Sequence, residues 1–309
     1  MKYSIIFLVD DENADFFQFV NTIAEVFSSR GESFEILLIA NGTEKFLKNQ
    51  MGKINIERNS LRAFALNRRA SEAVCVKWGL SECTGRIIMT CASYQELSRE
   101  SFIALLEYQT DQFDMAIPKR INRVDSYFSR FHSKLFNFIV KKITGADLND
   151  IGCNTKLFRR EVFENSEIYG NMYRFLPIIA ISKGYRIREV DCEYFKGYKG
   201  RTIYTASAYL VRIIDILTLF FNTRYSRKPL RFFSSIGFIF MFVGSLLLAC
   251  LGGQWIFLDT PIGNRPLLMI GLILIVLGTQ VGGIGLIGEI IAFAYGRAKP
   301  EYNIEKIIE

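Results

Sequence analysis

The chain has 309 residues, half of them apolar, and a net charge of +7. Roughly 230 residues precede two long apolar runs, enough for a domain with its own core. The six cysteines show no C-x-x-C spacing and read as free thiols in a reducing compartment; the positive charge suits work beside anionic lipid, and the apolar runs argue against a nucleic-acid partner.

In chain order, Ser4 to Val9 (SIIFLV) reads as a buried strand rather than a signal peptide, because acids follow it at once. Phe16 to Phe27 has helical spacing, with Phe16, Phe19, Val20, Ile23 and Phe27 on one face, and Gly31 ends it. Phe34 to Ala40 is a second buried strand, turned by Asn41-Gly42. Ala70 to Ser81 suits a helix, Arg86 to Cys91 a strand, Phe102 to Gln109 a helix and Phe113 to Pro118 a short strand. This alternation predicts a mostly parallel sheet with helices on both faces. Ligands of such sheets sit at the carboxyl ends of strands, so the loops after Val9, Ala40 and Cys91 are where a ligand site belongs.

Ser126 to Thr144 reads as a basic amphipathic helix, with Arg130, Lys134, Lys141 and Lys142 on its polar face. Ser207 to Asn222 reads as a helix lying in a membrane interface. Phe232 to Leu251 and Pro266 to Gly288 carry no charge until Glu289, and each can cross a hydrocarbon layer of about 30 Å. The link between them is rich in turn residues, so they form a transmembrane hairpin. Arg224, Arg227, Lys228 and Arg231 precede the first span, and Arg297 and Lys299 follow the second. The positive-inside rule then puts both chain ends in the cytoplasm, at the inner membrane of the cell. Gln280 is the one amide in either span core and reads as a helix–helix hydrogen bond, with Gly282, Gly283 and Gly285 permitting close approach. The expected organisation is a domain over 1–205, an interfacial helix over 206–230, a hairpin over 231–296 and a tail over 297–309.

Several blocks carry a resemblance. Asp150-Ile-Gly-Cys-Asn-Thr-Lys-Leu-Phe-Arg-Arg-Glu161 is similar to the D-x-G-C-G-F-R-L-F-R-R-E block of family 2 glycosyltransferases, in their membrane-anchored subset that uses polyprenyl-phosphate acceptors. Tyr169 to Pro177, Tyr225 to Arg231, Gly263 to Leu268 and Gly288 to Ile291 match further family segments, so the likeness covers nearly the whole chain. It implies a GT-A fold, a Rossmann-like sheet that binds a nucleotide sugar, and Mg²⁺ or Mn²⁺ held by a D-x-D at a strand end.

The donor half departs from that pattern. P-x-Y-N-E becomes Leu8 to Glu12, D-D-G-S becomes Ala40 to Thr43, and G-K-G becomes Ser71-Glu72-Ala73. Ala92-Ser93-Tyr94 stands where the D-x-D belongs, so no cofactor is assigned and no metal ligand is named. A leaving nucleoside diphosphate concentrates negative charge, which hard carboxylate-bound cations ordinarily neutralise. Glu12, Asn41 and Glu96 are the candidate donor-binding residues of a rearranged site. On the acceptor side the resemblance implies Arg120, Arg130, Ser133, Arg174 and Arg201 near the lipid phosphate, and Asp150 as base or orienter. Plainer readings stand beside these: the basic helix meets headgroups, Asp150 caps a turn, Cys153 fills the core, and His132 is solvated.

Two functions follow. The first is sugar transfer from a nucleotide sugar to a polyprenyl phosphate at the cytoplasmic face. The alternative is a catalytically inactive relative that binds lipid-linked phosphate or an active partner in polysaccharide biosynthesis. The expected partners are therefore the membrane, the polyprenyl phosphate and the nucleotide sugar, with a homo-oligomer or partner enzyme compatible with either reading.

Overall fold

The computed structural model describes residues 2–13, 15–54, 56, 60–107, 113–121, 141, 148–166, 168, 170–195, 214, 217–218, 220–221, 225, 228–258 and 266–296. The expected basic helix over Ser126 to Thr144, and most of the interfacial helix over Ser207 to Asn222, lie outside them. The chain divides into two units, Met1–Leu219 and Phe220–Glu309.

The strands of the first unit are β1 (Tyr3–Val9), β2 (Phe34–Ala40), β3 (Leu61–Ala65), β4 (Ile87–Ala92), β5 (Met115–Ile121), β6 (Lys156–Arg159) and β7 (Ile187–Glu193). Its helices are α1 (Phe16–Ser29), α2 (Glu44–Gln50), α3 (Glu72–Glu82), α4 (Arg99–Glu107), α5 (Arg160–Glu164) and α6 (Leu176–Ser182). They build one seven-stranded sheet in the order β3-β2-β1-β4-β6-β5-β7. β3, β2, β1 and β4 are mutually parallel, β6 alone runs antiparallel to its neighbours, and β7 is parallel to β5.

The period of two along each strand sorts the core into layers. Ile5, Phe7 and Val9 of β1 join Ile36 and Leu38 of β2 beneath α1 and α4. Ile6 and the intervening Leu37 and Ile39 face the other way, onto α3 and α6. Phe7 meets Phe16 and Phe19 of α1 edge to face, at centroid distances of 5.7 and 5.3 Å. β1 and β2 are buried on both faces, which is why they read as unbroken apolar runs rather than alternating ones. Gly31 closes α1 at φ +64°, a conformation that a side chain disfavours.

A buried carboxylate ties three strands at the end of the sheet opposite the ligand side. Glu35 accepts hydrogen bonds from Ser4 Oγ (2.6 Å), Thr84 N (2.6 Å) and Arg62 Nη2 (2.7 Å). Burial pushes its pKa up, but these donors outweigh burial and hold it at about 2. Gly85 N donates to the same Ser4 Oγ, and a Cβ at Gly85 would come within 2.7 Å of Ser4 N.

The second unit contains α7 (Pro229–Leu258) and α8 (Pro266–Gly296). Both have a mean hydropathy of 2.3 over a window with at most two charged residues, and most of their surface is exposed. They are long and apolar enough to cross a membrane, and the chain is a membrane protein on that ground. Glycines line the seam between them. A Cβ on Gly237 would lie 2.6 Å from Gly278 O, one on Gly278 2.6 Å from Gly237 O, and one on Gly244 2.7 Å from Gly271 O; Gly285 similarly abuts Phe233. A Cβ on Gly282 or Gly283 would meet nothing within 4 Å, but the Gly282 backbone N lies 3.2 Å from where a Cβ on Gly237 would sit, so Gly282 borders the seam as expected and Gly283 does not. The heptad spacing of 271, 278 and 285 selects the contact face, and 283 falls beside it. Glu289 Oε2 accepts from Leu230 N at 3.2 Å, an acid set at the start of α7. Gly278→Leu is expected to cost about 1–3 kcal/mol by overpacking. A lower thermal midpoint of the full chain in detergent, with Gly282→Leu unchanged, is the check.

Candidate functional site

A cavity opens where the sheet rule places one, beyond the carboxyl ends of β1, β2 and β4. Its walls include Leu8, Asp10, Asn41, Glu72, Cys91, Ala92, Tyr94, Asn154 and Tyr173. Asn41 follows β2 and uses both ends of its amide on one residue: Nδ2 donates to Ala70 O (3.0 Å) and Oδ1 accepts from Ala70 N (2.8 Å). It therefore clamps the segment leading into α3, whose first residue, Glu72, lines the cavity. Thr43 Oγ1 donates to Val9 O at 2.5 Å and fixes the same corner to β1. Arg69 Nη2 donates to Asp10 O at 3.0 Å, bringing a cation to the rim.

At the end of β4, Ala92 has no polar side-chain atom. Ser93 Oγ is buried and donates to Asp10 Oδ1 at 3.0 Å, and Tyr94 OH accepts from Asn154 Nδ2 at 2.9 Å. The three side chains that would carry a D-x-D are thus a methyl, a hydroxyl spent on Asp10 and a phenol spent on Asn154. The cavity's acids are Asp10, which directly follows β1, and Glu72, the first residue of α3. Among the described residues no three His, Cys, Asp or Glu side chains stand close enough to share a metal ion. The β4 end does not fit the Mg²⁺ or Mn²⁺ that the family likeness implies.

Behind the cavity wall lies a buried charge cluster. Arg120 Nε donates to Asp150 Oδ2 (2.5 Å) and Nη2 to Asp150 Oδ1 (2.7 Å), a bidentate pair. Arg120 Nη1 reaches Glu96 Oε1 (3.4 Å) and Tyr194 OH (3.2 Å). The side chains of Arg120, Asp150 and Glu96 are each no more than 6 % exposed. Burial alone would lower the Arg120 pKa; the Asp150 and Glu96 carboxylates offset it and hold the group above its usual value. Glu96 Oε2 accepts from Asn154 N at 3.0 Å and from Cys153 Sγ at 3.4 Å. Burial, then the nearby Glu96, raises the Cys153 thiol well above its usual pKa, so it is no thiolate nucleophile. Glu189 accepts from the backbone N of Asn149 (2.6 Å) and Asp150 (3.0 Å). Lys156 is buried, donates to Cys153 O at 2.7 Å and sits 4.7 Å from the ring centroid of Tyr173; burial lowers its pKa. The cluster thus holds the 150–156 segment, and with it Asn154 and, through Asn154, Tyr94.

The structure distributes the sequence candidates unevenly. Asn41 lines the cavity. Glu12 is exposed and Glu96 belongs to the buried cluster, and neither is among the cavity's lining residues. Arg120 and Asp150 face each other rather than solvent. Arg174 is half-buried in the turn Gly170–Phe175, beside the cavity residue Tyr173. Arg130, Ser133 and Arg201 lie outside the described residues, as does His132. Sequence reasoning passed over Asp10 and Glu72 as cavity acids. Asp10 was findable, since it directly follows β1; Glu72 needed α3 to be placed.

Seven strands in this order, with the cavity beyond the carboxyl ends of β1, β2 and β4, make a sheet of the GT-A type. Glucosyl-3-phosphoglycerate synthase from Mycobacterium tuberculosis, solved with Mn²⁺, uridine diphosphate and phosphoglyceric acid, superposes with a TM-score of 0.53 over 71% of this chain and 78% of its own, at 9% identity. No protein-family model matches the chain. Dodecaprenyl-phosphate galacturonate synthase of Rhizobium johnstonii is 28% identical, covering 100% of this chain and 94% of that protein. Undecaprenyl-phosphate 4-deoxy-4-formamido-L-arabinose transferase of Salmonella paratyphi B is 26% identical over 99% of this chain and 94% of that protein. The chain has the GT-A fold, and it resembles polyprenyl-phosphate glycosyltransferases from end to end.

Proposed function

We propose that this protein transfers a sugar from a nucleotide sugar to a polyprenyl phosphate at the cytoplasmic face of a membrane. The observation that carries the reading is the pairing, in one chain, of a strand-end cavity on a GT-A sheet with two membrane-length apolar helices. End-to-end similarity to two polyprenyl-phosphate sugar transferases supports it. The donor lies in the cavity against Asn41, Tyr94, Asn154 and Tyr173. The acceptor phosphate approaches from the membrane side, held by Arg130, Ser133, Arg174 and Arg201. A phosphate monoester is already ionised at neutral pH, so its oxygen attacks the anomeric carbon without a base, and the bond from that carbon to the nucleoside diphosphate breaks with its electron pair leaving on the diphosphate. Asp150, gripped by Arg120 at both oxygens, acts as a positioning residue that keeps the 150–156 segment in place. The hairpin spans twice, with the basic flanks Arg224 to Arg231 and Arg297 to Lys299 on the cytoplasmic side.

The altered β4 end favours the inactive-relative reading; similarity along the whole chain weighs against it. The full chain in detergent, given nucleotide sugars and undecaprenyl phosphate with and without Mn²⁺, is expected to yield a lipid-linked sugar. Retained lipid-phosphate binding with no nucleotide-sugar binding under any metal condition would overturn the transferase reading.

A further inference from the structure

Lys156 is a lysine buried without a carboxylate. Its residue is 2 % exposed, its Nζ donates to Cys153 O at 2.7 Å, and it stands 4.7 Å from the ring centroid of Tyr173. Among the described residues no acid lies within ion-pair distance of it. One carbonyl takes one of the three N–H bonds of an ammonium, and an aromatic ring returns only part of the cost of burying its charge. The position lacks an anion.

The strand register shows where an anion fits. Lys156 of β6 pairs with Thr90 of β4, and paired residues face the same side of a sheet. Ala92 stands two residues after Thr90, on that side too, and it lines the cavity. Tyr173 joins the two places. Its OH lies 2.5 Å from Thr90 Oγ1, its ring meets the ammonium, and it is itself a residue of the cavity wall. The cation therefore stands just behind the wall, beside the strand end that carries no acids. Both charged residues that line the cavity, Asp10 and Glu72, are negative, so a diphosphate there needs a positive charge from behind the wall.

We propose that Lys156 supplies that charge, so that the donor's diphosphate binds in this cavity without a divalent cation. The proposal rests on the sugar-transfer reading above. Lys156 acts through its field and touches no donor atom, so it is a positioning residue. It keeps its proton throughout; the bond from the anomeric carbon to the diphosphate breaks with its electron pair on the diphosphate, and a fixed ammonium nearby favours that charge. The groups that bear on Lys156 are Glu72 of α3, Glu96 after β4, Arg120 of β5, Cys153 and Tyr173. Burial lowers the lysine pKa and raises those of the Cys153 thiol and the Tyr173 phenol, so the lysine loses its proton before either. Diphosphate affinity therefore falls as pH rises, at values below the ordinary lysine pKa of about 10.4.

The test is calorimetric binding of uridine, guanosine and cytidine diphosphates to the full chain in detergent, with EDTA or with Mg²⁺. The wild type is expected to bind at least one of them in EDTA, and to lose that affinity in alkali. Lys156→Met weakens binding in EDTA by about tenfold or more, without a lower thermal midpoint, because it removes a buried unpaired charge. Lys156→Arg keeps most of the affinity and holds it into alkali. If neither variant folds, the wild-type pH profile decides. Equal affinity of wild type and Lys156→Met, binding only with Mg²⁺, or a flat wild-type profile up to about pH 10 would each overturn this proposal and leave the transferase reading standing. No diphosphate binding under any condition would overturn both.

Discussion

Replacing Arg120 with methionine is expected to destabilise the first unit by about 3–5 kcal/mol, the cost of stranding buried charges. Arg120 is the shared cation of two carboxylates, Asp150 and Glu96, and all three side chains are almost fully buried. Without it both acids are left in a low-dielectric interior, where they protonate or draw in water, and either response loosens the 150–156 segment. The measurement is urea unfolding of the full chain in detergent. The double variant Arg120→Met/Asp150→Leu should recover part of the loss, since it removes one of the stranded charges. Equal stability of the single and double variants would mean that packing, and not the ion pair, sets the cost. Because Glu96 also holds Asn154, donor binding should weaken in the single variant even where the domain remains folded.

The second large effect is acid lability through Glu35. Its carboxyl is held at about 2 against 4.5 for the free group, so the folded state favours the ionised form. The sign follows: the contribution is complete above the unfolded value near pH 4.5 and is lost as pH falls from there towards 2. A displacement of that size corresponds to about 3 kcal/mol. Ser4, Thr84 and Arg62 come from three different places in the chain, so protonation loosens β1, β2 and the start of β4 together. Unfolding free energy followed from pH 6 down to 2.5 should fall steeply in the wild type. Glu35→Gln should start lower at pH 6 and show a flatter acid limb. Parallel limbs for the two proteins would remove Glu35 as the cause.

Parts of this architecture were legible in one dimension. β1, α1, β2 and β4 appear within one or two residues of expectation, since double-sided burial writes a strand as a continuous apolar run and α1 has a clear helical stripe. β3 was not expected because its five residues, LRAFA, are half-exposed at the sheet edge. β6 begins with a buried lysine, and only the Cys153 carbonyl and the Tyr173 ring make that position tolerable. The place of the cavity followed from the strand-end rule, and Asn41, a donor-binding candidate, is one of its walls. Glu96 is a donor candidate because it stands just after the altered D-x-D position and could supply an alternative carboxylate. The chain turns after Tyr94, and the carboxylate instead meets Arg120 behind the wall.

The order of strands and helices, the two membrane-length helices and the missing acids at the β4 end are properties of the sequence alone, because each depends on residues adjacent along the chain. The Arg120–Asp150–Glu96 cluster, the Glu35 anchor, and the choice of Gly278 over Gly283 for the helix seam were decided only by tertiary structure. Those depend on which distant residues the sheet register and the helix rotation bring within hydrogen-bonding distance, and local propensity does not encode that.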